Sequence, residues 1–467
     1  MPTGPHRHAA RSPLRCLFAV ALLLAAGGCA TYHRLPLPTH DNLATAAPTG
    51  ATPLSMERAA TLAVLNDPDL NTARATLGVA QAQAFSAGLL PEPTLNYSRE
   101  HPTDRPAPDD WRYPEFNGYG LELDIDVQAL LTHSVVKQGA SWDYRQARLN
   151  LLWQEWQTVA QVRTLYAQQS IAAERLQFLR DTQRIYAAAA QDSQQALAAG
   201  NVTLEQTSTD LALLQDMDGR LGDAQRSLLT AQQNLRTLLG VAPGVVLPLQ
   251  PLQAPVIPSR AALQSALITL PRRRPDLIAL QAGYEAQETR VRLAVRSQFP
   301  NITIGLTKAR DTADVHTWGG VVNLTLPLFN HSRADIAVQR ATRAQLRADY
   351  QARLDQATGD SWQLWDDMRQ LQQQLTRLRQ QLPDLRRSVE AARAAYQRSD
   401  FAAASYVALA GSYLAAQELE VTLRQNLWAD SIALATLLGT QVQPEDPAAP
   451  ALSDATTQAQ PDAAKHS

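Results

Sequence analysis

A chain of 467 residues with 42 basic and 44 acidic side chains has a formal net charge of −2. That balance gives no bulk attraction to nucleic acid, and only two cysteines, Cys16 and Cys29, exclude a disulfide framework. The length admits two or three average domains or one elongated assembly.

In chain order, His6, Arg7, His8, Arg11 and Arg15 form a basic stretch ahead of an apolar run from Leu17 to Ala26. This is the order of a secretory signal, and the run is far below the ~20 residues that a membrane-spanning helix needs. Residues 1–28 are therefore assigned as a signal peptide. Their end, "LAAGGC", resembles the lipobox of bacterial lipoproteins, with Ala26 where that motif usually has leucine. The resemblance implies that Cys29 carries acyl chains; the alternative is ordinary cleavage nearby, such as after Ala30. A polar leader, residues 29–53, follows without periodicity.

Organisation begins at Leu54 and occurs twice. "NDPDL" at Asn66–Leu70 recurs as "RRPDL" at Arg273–Leu277, and Pro93 recurs as Pro300 at the same distance. Each copy closes on "LLG", at Gly240 and Gly439. Such internal similarity marks a duplicated unit, here residues 54–240 and 257–440. The first opens with two helical patterns, Glu57–Leu65 and Asp69–Leu90, which Pro91 and Pro93 end.

The period then switches to two. Leu95 and Tyr97 alternate with Thr94, Asn96 and Ser98. After a polar loop, Tyr119, Leu121, Leu123, Ile125 and Val127 face away from Gly120, Glu122, Asp124 and Asp126. The second copy repeats the pattern with Ile302, Ile304 and Leu306, then Val322, Leu324, Leu326 and Leu328. These read as four strands of about 10 residues, long enough to cross a bilayer when tilted. Lipid tolerates only closed sheets, and four strands cannot close, so a spanning chain must oligomerise. Three copies give twelve strands.

Helix dominates the remainder. Ser134–Ala198 contains no proline, and the next helix carries Leu221, Ala224, Leu228, Ala231, Leu235 and Leu238 at heptad spacing. Its counterpart shows Leu423, Leu427, Asp430, Leu434 and Leu437, with one polar break. The second long helix opens near Arg333, with Pro383 expected to interrupt it. A proline-rich connector, residues 241–256, separates the copies and is read as a belt around the helices. The tail, 441–467, is Pro, Ala, Gln and Asp without pattern and reads as disordered.

These features together, with "GLLPEPTLNY", "SQFPNITIGLT" and "AAGNVTLEQTSTDLALLQ", resemble the TolC family of outer-membrane efflux channels over residues 54–440. The resemblance implies a mainly α fold with a small β part: two tandem helix–β-hairpin–helix–helix repeats that trimerise to a twelve-stranded β-barrel and an α-helical barrel. It implies a homotrimer in the outer membrane lipid of a Gram-negative bacterium, fed by an inner-membrane transporter through a periplasmic adaptor (membrane fusion) protein. Adaptors would dock on two helical tips, Gly200-Asn201-Val202-Thr203 and Ser399-Asp400-Phe401. An acidic ring near the entrance, as in some relatives, would here fall to Glu205 and Asp210. Glu122, Asp124 and Asp126 would charge a wet lumen. The opening motif looks somewhat more like heavy-metal efflux members than drug efflux members.

No catalytic residues, cofactor or metal site are expected. The nine histidines are scattered, and no glycine loop is shaped to cradle phosphate. Two other readings stay open: a periplasmic coiled-coil lipoprotein with a structural role and no pore, and the same channel fold serving polypeptide secretion.

Overall fold

The computed structural model describes residues 32–47, 52–101, 103, 117–326, 328–398 and 402–439. The assigned signal peptide, Cys29, the tip residues Ser399, Asp400 and Phe401, and the tail 441–467 lie outside the described residues. The chain divides into two units, Met1–Leu43 and Ala44–Ser467. The described part of the first, residues 32–43, forms no helix or strand.

The second unit runs through one pattern twice. Its first pass is α1 (Met56–Asn66), α2 (Pro68–Ala87), β1 (Thr94–Glu100), β2 (Gly118–Asp126), α3 (Val127–Ala198) and α4 (Leu204–Leu238). The second is α5 (Arg260–Arg273), α6 (Pro275–Arg296), β3 (Asn301–Arg310), β4 (His316–Thr325), α7 (Arg333–Gln397) and α8 (Ala403–Leu438). Local chemistry sets the joints. Asp67 closes α1, and its carboxylate accepts the amide of Asp69 (3.0 Å) at the start of α2, where Pro68 supplies a preset φ. Ser55, Asp126, Thr203 and Ser259 cap α1, α3, α4 and α5 in the same way.

At 72 residues, α3 extends about 108 Å at the standard rise. Its first part packs against α2 and α6, and its later part against α4 and α8. The 65-residue α7 packs on α6 and α8. Among the described residues, three large apolar cores hold the bundle, with a small fourth at Ala60, Val64 and Val159. One joins α1, α3 and α8 to the connector, one joins α5 and α6 to α7 and α8, and one joins α3, α4 and α8. The segment preceding α1 runs parallel to the connector, through Ala44 beside Val241 and Leu54 beside Leu249. Tyr166 on α3 fastens both, its hydroxyl shared between the carbonyls of Leu54 and Gln250 at 2.8 Å each. Burial pushes that phenol's pKa upward, so it stays a donor.

The structure corrects three boundaries. The long helix starts at Val127 rather than Ser134, directly from β2, because Asp126 caps it (Ala129 N to Oδ1, 2.8 Å). Strand β4 ends at Thr325, leaving Leu326 and Leu328 beyond it, where the sequence turns to proline at 327 and a ladder would lack an amide. Pro383 does not interrupt α7. It is exposed, and the buried seam of Trp365, Met368, Leu375 and Leu378 holds the preceding turns in place.

Candidate functional site

The four strands form one antiparallel sheet, β1-β2-β3-β4, so the two hairpins of the duplicated halves sit side by side through β2 and β3. Register aligns the apolar positions in rows: Leu95, Leu123 and Leu306 with Gly320; Ile125, Ile304 and Val322; Ile302 and Leu324. Leu95, Leu123, Ile125, Ile304, Leu306, Val322 and Leu324 are all exposed. An apolar patch of this kind on one face of a sheet is a surface built for lipid or a partner.

The opposite face is polar. Asp126, Thr303 and Asn323 share a row, as do Thr94, Asp124, Gly305 and Val321, the one large apolar side chain among them, and Asn96, Glu122, Thr307 and Gly319. Of the four acids on this face (Glu100, Glu122, Asp124 and Asp126), Asp124 is 8% exposed and accepts from the Asn96 amide (3.1 Å), lying over Gly305, where a Cβ would collide with its Oδ1. Asp126 is committed to capping α3. Glu122 is half-buried, and Glu100, at the loop end of β1 on the same face, is exposed. Edge strands β1 and β4 each have one unpaired side, a row of amides that cannot remain bare in oil.

At the far end, α3 and α4 meet in a tight reversal. Gly200 has a φ of +75°, and the amide of Asn201 bonds back to Ala196 (2.8 Å), the closed end of a helix that needs a left-handed residue. Asn201, Thr203 and Glu205 are exposed, and Val202 is half-buried. Asp210 is buried instead, within reach of Gln206 (3.5 Å).

Two polar links between the helices were not legible in the sequence. Tyr396 on α7 donates its hydroxyl to Asp192 on α3 and stacks on Tyr406 of α8 (centroids 5.4 Å apart). Burial and the bond to Asp192 push the Tyr396 phenol up to about 12. Higher in the bundle, Glu418 of α8 takes both Arg175 of α3 (2.9 Å) and Arg220 of α4. The signal for either link is distributed across helices some 200 residues apart, so periodicity alone does not bring these residues together.

Nearer the sheet, the duplicated Pro-Asp-Leu motifs each hold a joint. Thr158 donates to the buried Asp67 (3.1 Å). In the second copy, Arg274 clasps Asp276 through two bonds of 2.8 Å, and Arg353 of α7 reaches the same carboxylate at 2.9 Å. The guanidinium of Arg274 also lies 5.0 Å from the Trp153 ring centroid. Among the described residues there is no metal-ligating cluster and no helix long and apolar enough to cross a membrane.

A four-stranded sheet with one apolar face and two unpaired edges, whose β2 runs straight into a helix about 108 Å long, has the form of a barrel segment with a helical extension. The model of the outer membrane efflux protein family matches residues 59–241 and 267–440, one match on each half, and the chain belongs to that family. It is thus an outer-membrane efflux protein. The pyoverdine export outer membrane protein OpmQ of Pseudomonas aeruginosa is 28% identical over 302 residues, which is 58% of this chain and 60% of that protein. The fold matches the outer-membrane channel OprN with a TM-score of 0.69 at 18% identity, covering 89% of this chain and 100% of that one. CusC gives 0.68 at 18% identity over 89% and 100% of the two chains. VceC of Vibrio cholerae gives 0.67 at 17% identity over 83% and 97%.

Proposed function

We propose that three copies close a twelve-stranded barrel in the outer membrane and form the passive exit duct of a tripartite efflux pump. The observation that carries this is the register. Every apolar strand row lies on one face and every acidic row on the other, in a sheet whose two edges have no partner. Pairing β1 of one protomer with β4 of the next removes both edges at once, which an isolated lipoprotein of coiled-coil type would not require.

The helical extension crosses the periplasm as a continuation of the bore. Gly200, Asn201, Val202 and Thr203, with Ser399, Asp400 and Phe401, form the tips on which a periplasmic adaptor docks, and an inner-membrane transporter supplies energy and cargo. Acyl chains on Cys29 anchor the leader in the same membrane. The cargo is set by the pump. Pyoverdine, for the export of which one relative is named, joins drugs and heavy-metal ions among the candidates. Glu205 remains exposed at the tip, whereas the burial of Asp210 disfavours it as part of an acidic ring.

Single-channel recording of the purified protein in planar bilayers tests the duct. Discrete, cation-preferring conductance steps from a trimeric species are expected. A membrane-inserted trimer that carries no current would leave only the structural-lipoprotein reading.

A further inference from the structure

Beyond the apolar rows, the same sheet face changes character toward the hairpin loops. The next row is Tyr97, Leu121, Lys308 and Trp318, and the row after it is Arg99, Tyr119, Arg310 and His316. Apolar side chains thus give way to aromatic rings with a lysine, and then to arginines. A surface passing from hydrocarbon through the headgroup region meets its solvents in that order.

The opposite face supplies an internal control. In the rows at the same heights it presents Asn96, Glu122, Thr307 and Gly319, and then Ser98, Gly120, Ala309 and Thr317. Cations are therefore not a general property of the loop end; they are confined to the face that carries the apolar rows. Nor does that face carry them at the helix end of the strands, where its last row is Ile302 and Leu324. Arg310 is held by Asp314 (2.6 Å), and His316 lies 3.5 Å from the same carboxylate. Arg99 and Lys308 are exposed, and neither engages another side chain among the described residues.

We propose that Arg99 and Lys308, with Trp318 beside Lys308, form a binding site for the phosphate group of an anionic lipid in the leaflet at the hairpin-loop end. A guanidinium offers a planar fork that matches phosphate oxygens, and an ammonium adds a compact second charge. Trp318 is 77% exposed, placing an amphipathic ring at the same height. Arg99 and Lys308 lie two strands and one same-face row apart, ~12 Å at standard spacings, a gap that two long side chains converging on one headgroup can close. In a trimer the site recurs three times around the barrel. This assignment rests on the reading that the apolar face meets lipid.

The test uses the detergent-solubilised full-length protein and the double variant Arg99→Gln/Lys308→Gln. Binding is measured by native mass spectrometry against diphosphorylated lipid A, its dephosphorylated form and inorganic phosphate, with planar-bilayer conductance recorded in parallel. The wild type should prefer the phosphorylated lipid about tenfold, the variant should lose that preference, and conductance should be unchanged. Millimolar inorganic phosphate should not displace the lipid. Equal binding of the two lipid forms by a conducting wild type would overturn the site while leaving the duct intact. Displacement by free phosphate would overturn its assignment to lipid. A wild type that neither conducts nor binds lipid would overturn the spanning reading on which the site rests.

Discussion

Arg274 shows how a single side chain fastens this bundle. It is 2% exposed, at the joint between α5 and α6, and its charge is met by Asp276 and by the face of Trp153. Removing one partner of a buried ion pair usually costs ~3–5 kcal/mol. Here Arg353 and the amide of Leu277 still hold Asp276, so Arg274→Met should cost about 2–3 kcal/mol, read as a lower midpoint for loss of the folded trimer on heating. Arg274→Lys should recover little, because an ammonium cannot make both bonds at once. The acids of the polar face differ just as sharply. Glu122→Gln should weaken the cation preference of the open channel, measured as a shift in reversal potential across a salt gradient. Asp126→Asn should leave the folded trimer's heat resistance nearly unchanged, since an amide oxygen still caps α3.

Among the elements, the link between α3 and α7 is thin. The two helices meet through α6 toward the sheet and through α8 toward the tips, and the direct bond near the tips is Tyr396 to Asp192. In Tyr396→Phe the stack on Tyr406 can remain while the bond is lost, so the tips should part more readily and the channel should spend more time open in single-channel records. The raised phenol pKa gives a pH test. Its folded value, about 12, lies above the ordinary 10, so the stabilisation is intact below pH 10 and lost as pH rises toward 12. Wild-type open probability should climb through that window, and that of Tyr396→Phe should stay flat there.

Sequence pattern reaches this level unevenly. The duplicated order of helices and strands was legible because burial imposes periods of 3.6 and 2 on local sequence. Leu235, Leu423 and Leu427 are buried where the heptads place them, and Asp430, the polar break in that seam, is half-buried. Burial and the nearby Asp367 raise its pKa. Pro383 misled, since proline's missing donor breaks an isolated helix but costs one bond in a helix gripped by its neighbours. The Tyr396–Asp192 and Glu418 links were illegible, because each depends on which helix faces lie together and no local period encodes that.

For the whole molecule, the decisive property is that one sheet serves two solvents, and adjacent residues on one strand separate them. Leu306 stands mid-sheet on the apolar face, between Leu123 and Gly320, while Thr307 faces the other way, between Glu122 and Gly319. An arginine on the lipid face near the bilayer centre costs ~2–4 kcal/mol, and a trimer bears that cost three times. Leu306→Arg should therefore deplete heat-resistant trimer from the outer-membrane fraction. Thr307→Arg places the same charge one residue along, next to Glu122 and in water. Trimer yield should match the wild type, while conductance and cation preference fall because three arginines then face the acidic row. The paired design separates a barrel from a water-bathed hairpin sheet. In the latter both substitutions sit on solvated surface and cost nearly the same, so equal trimer yields for the two variants would remove the physical basis for a membrane pore.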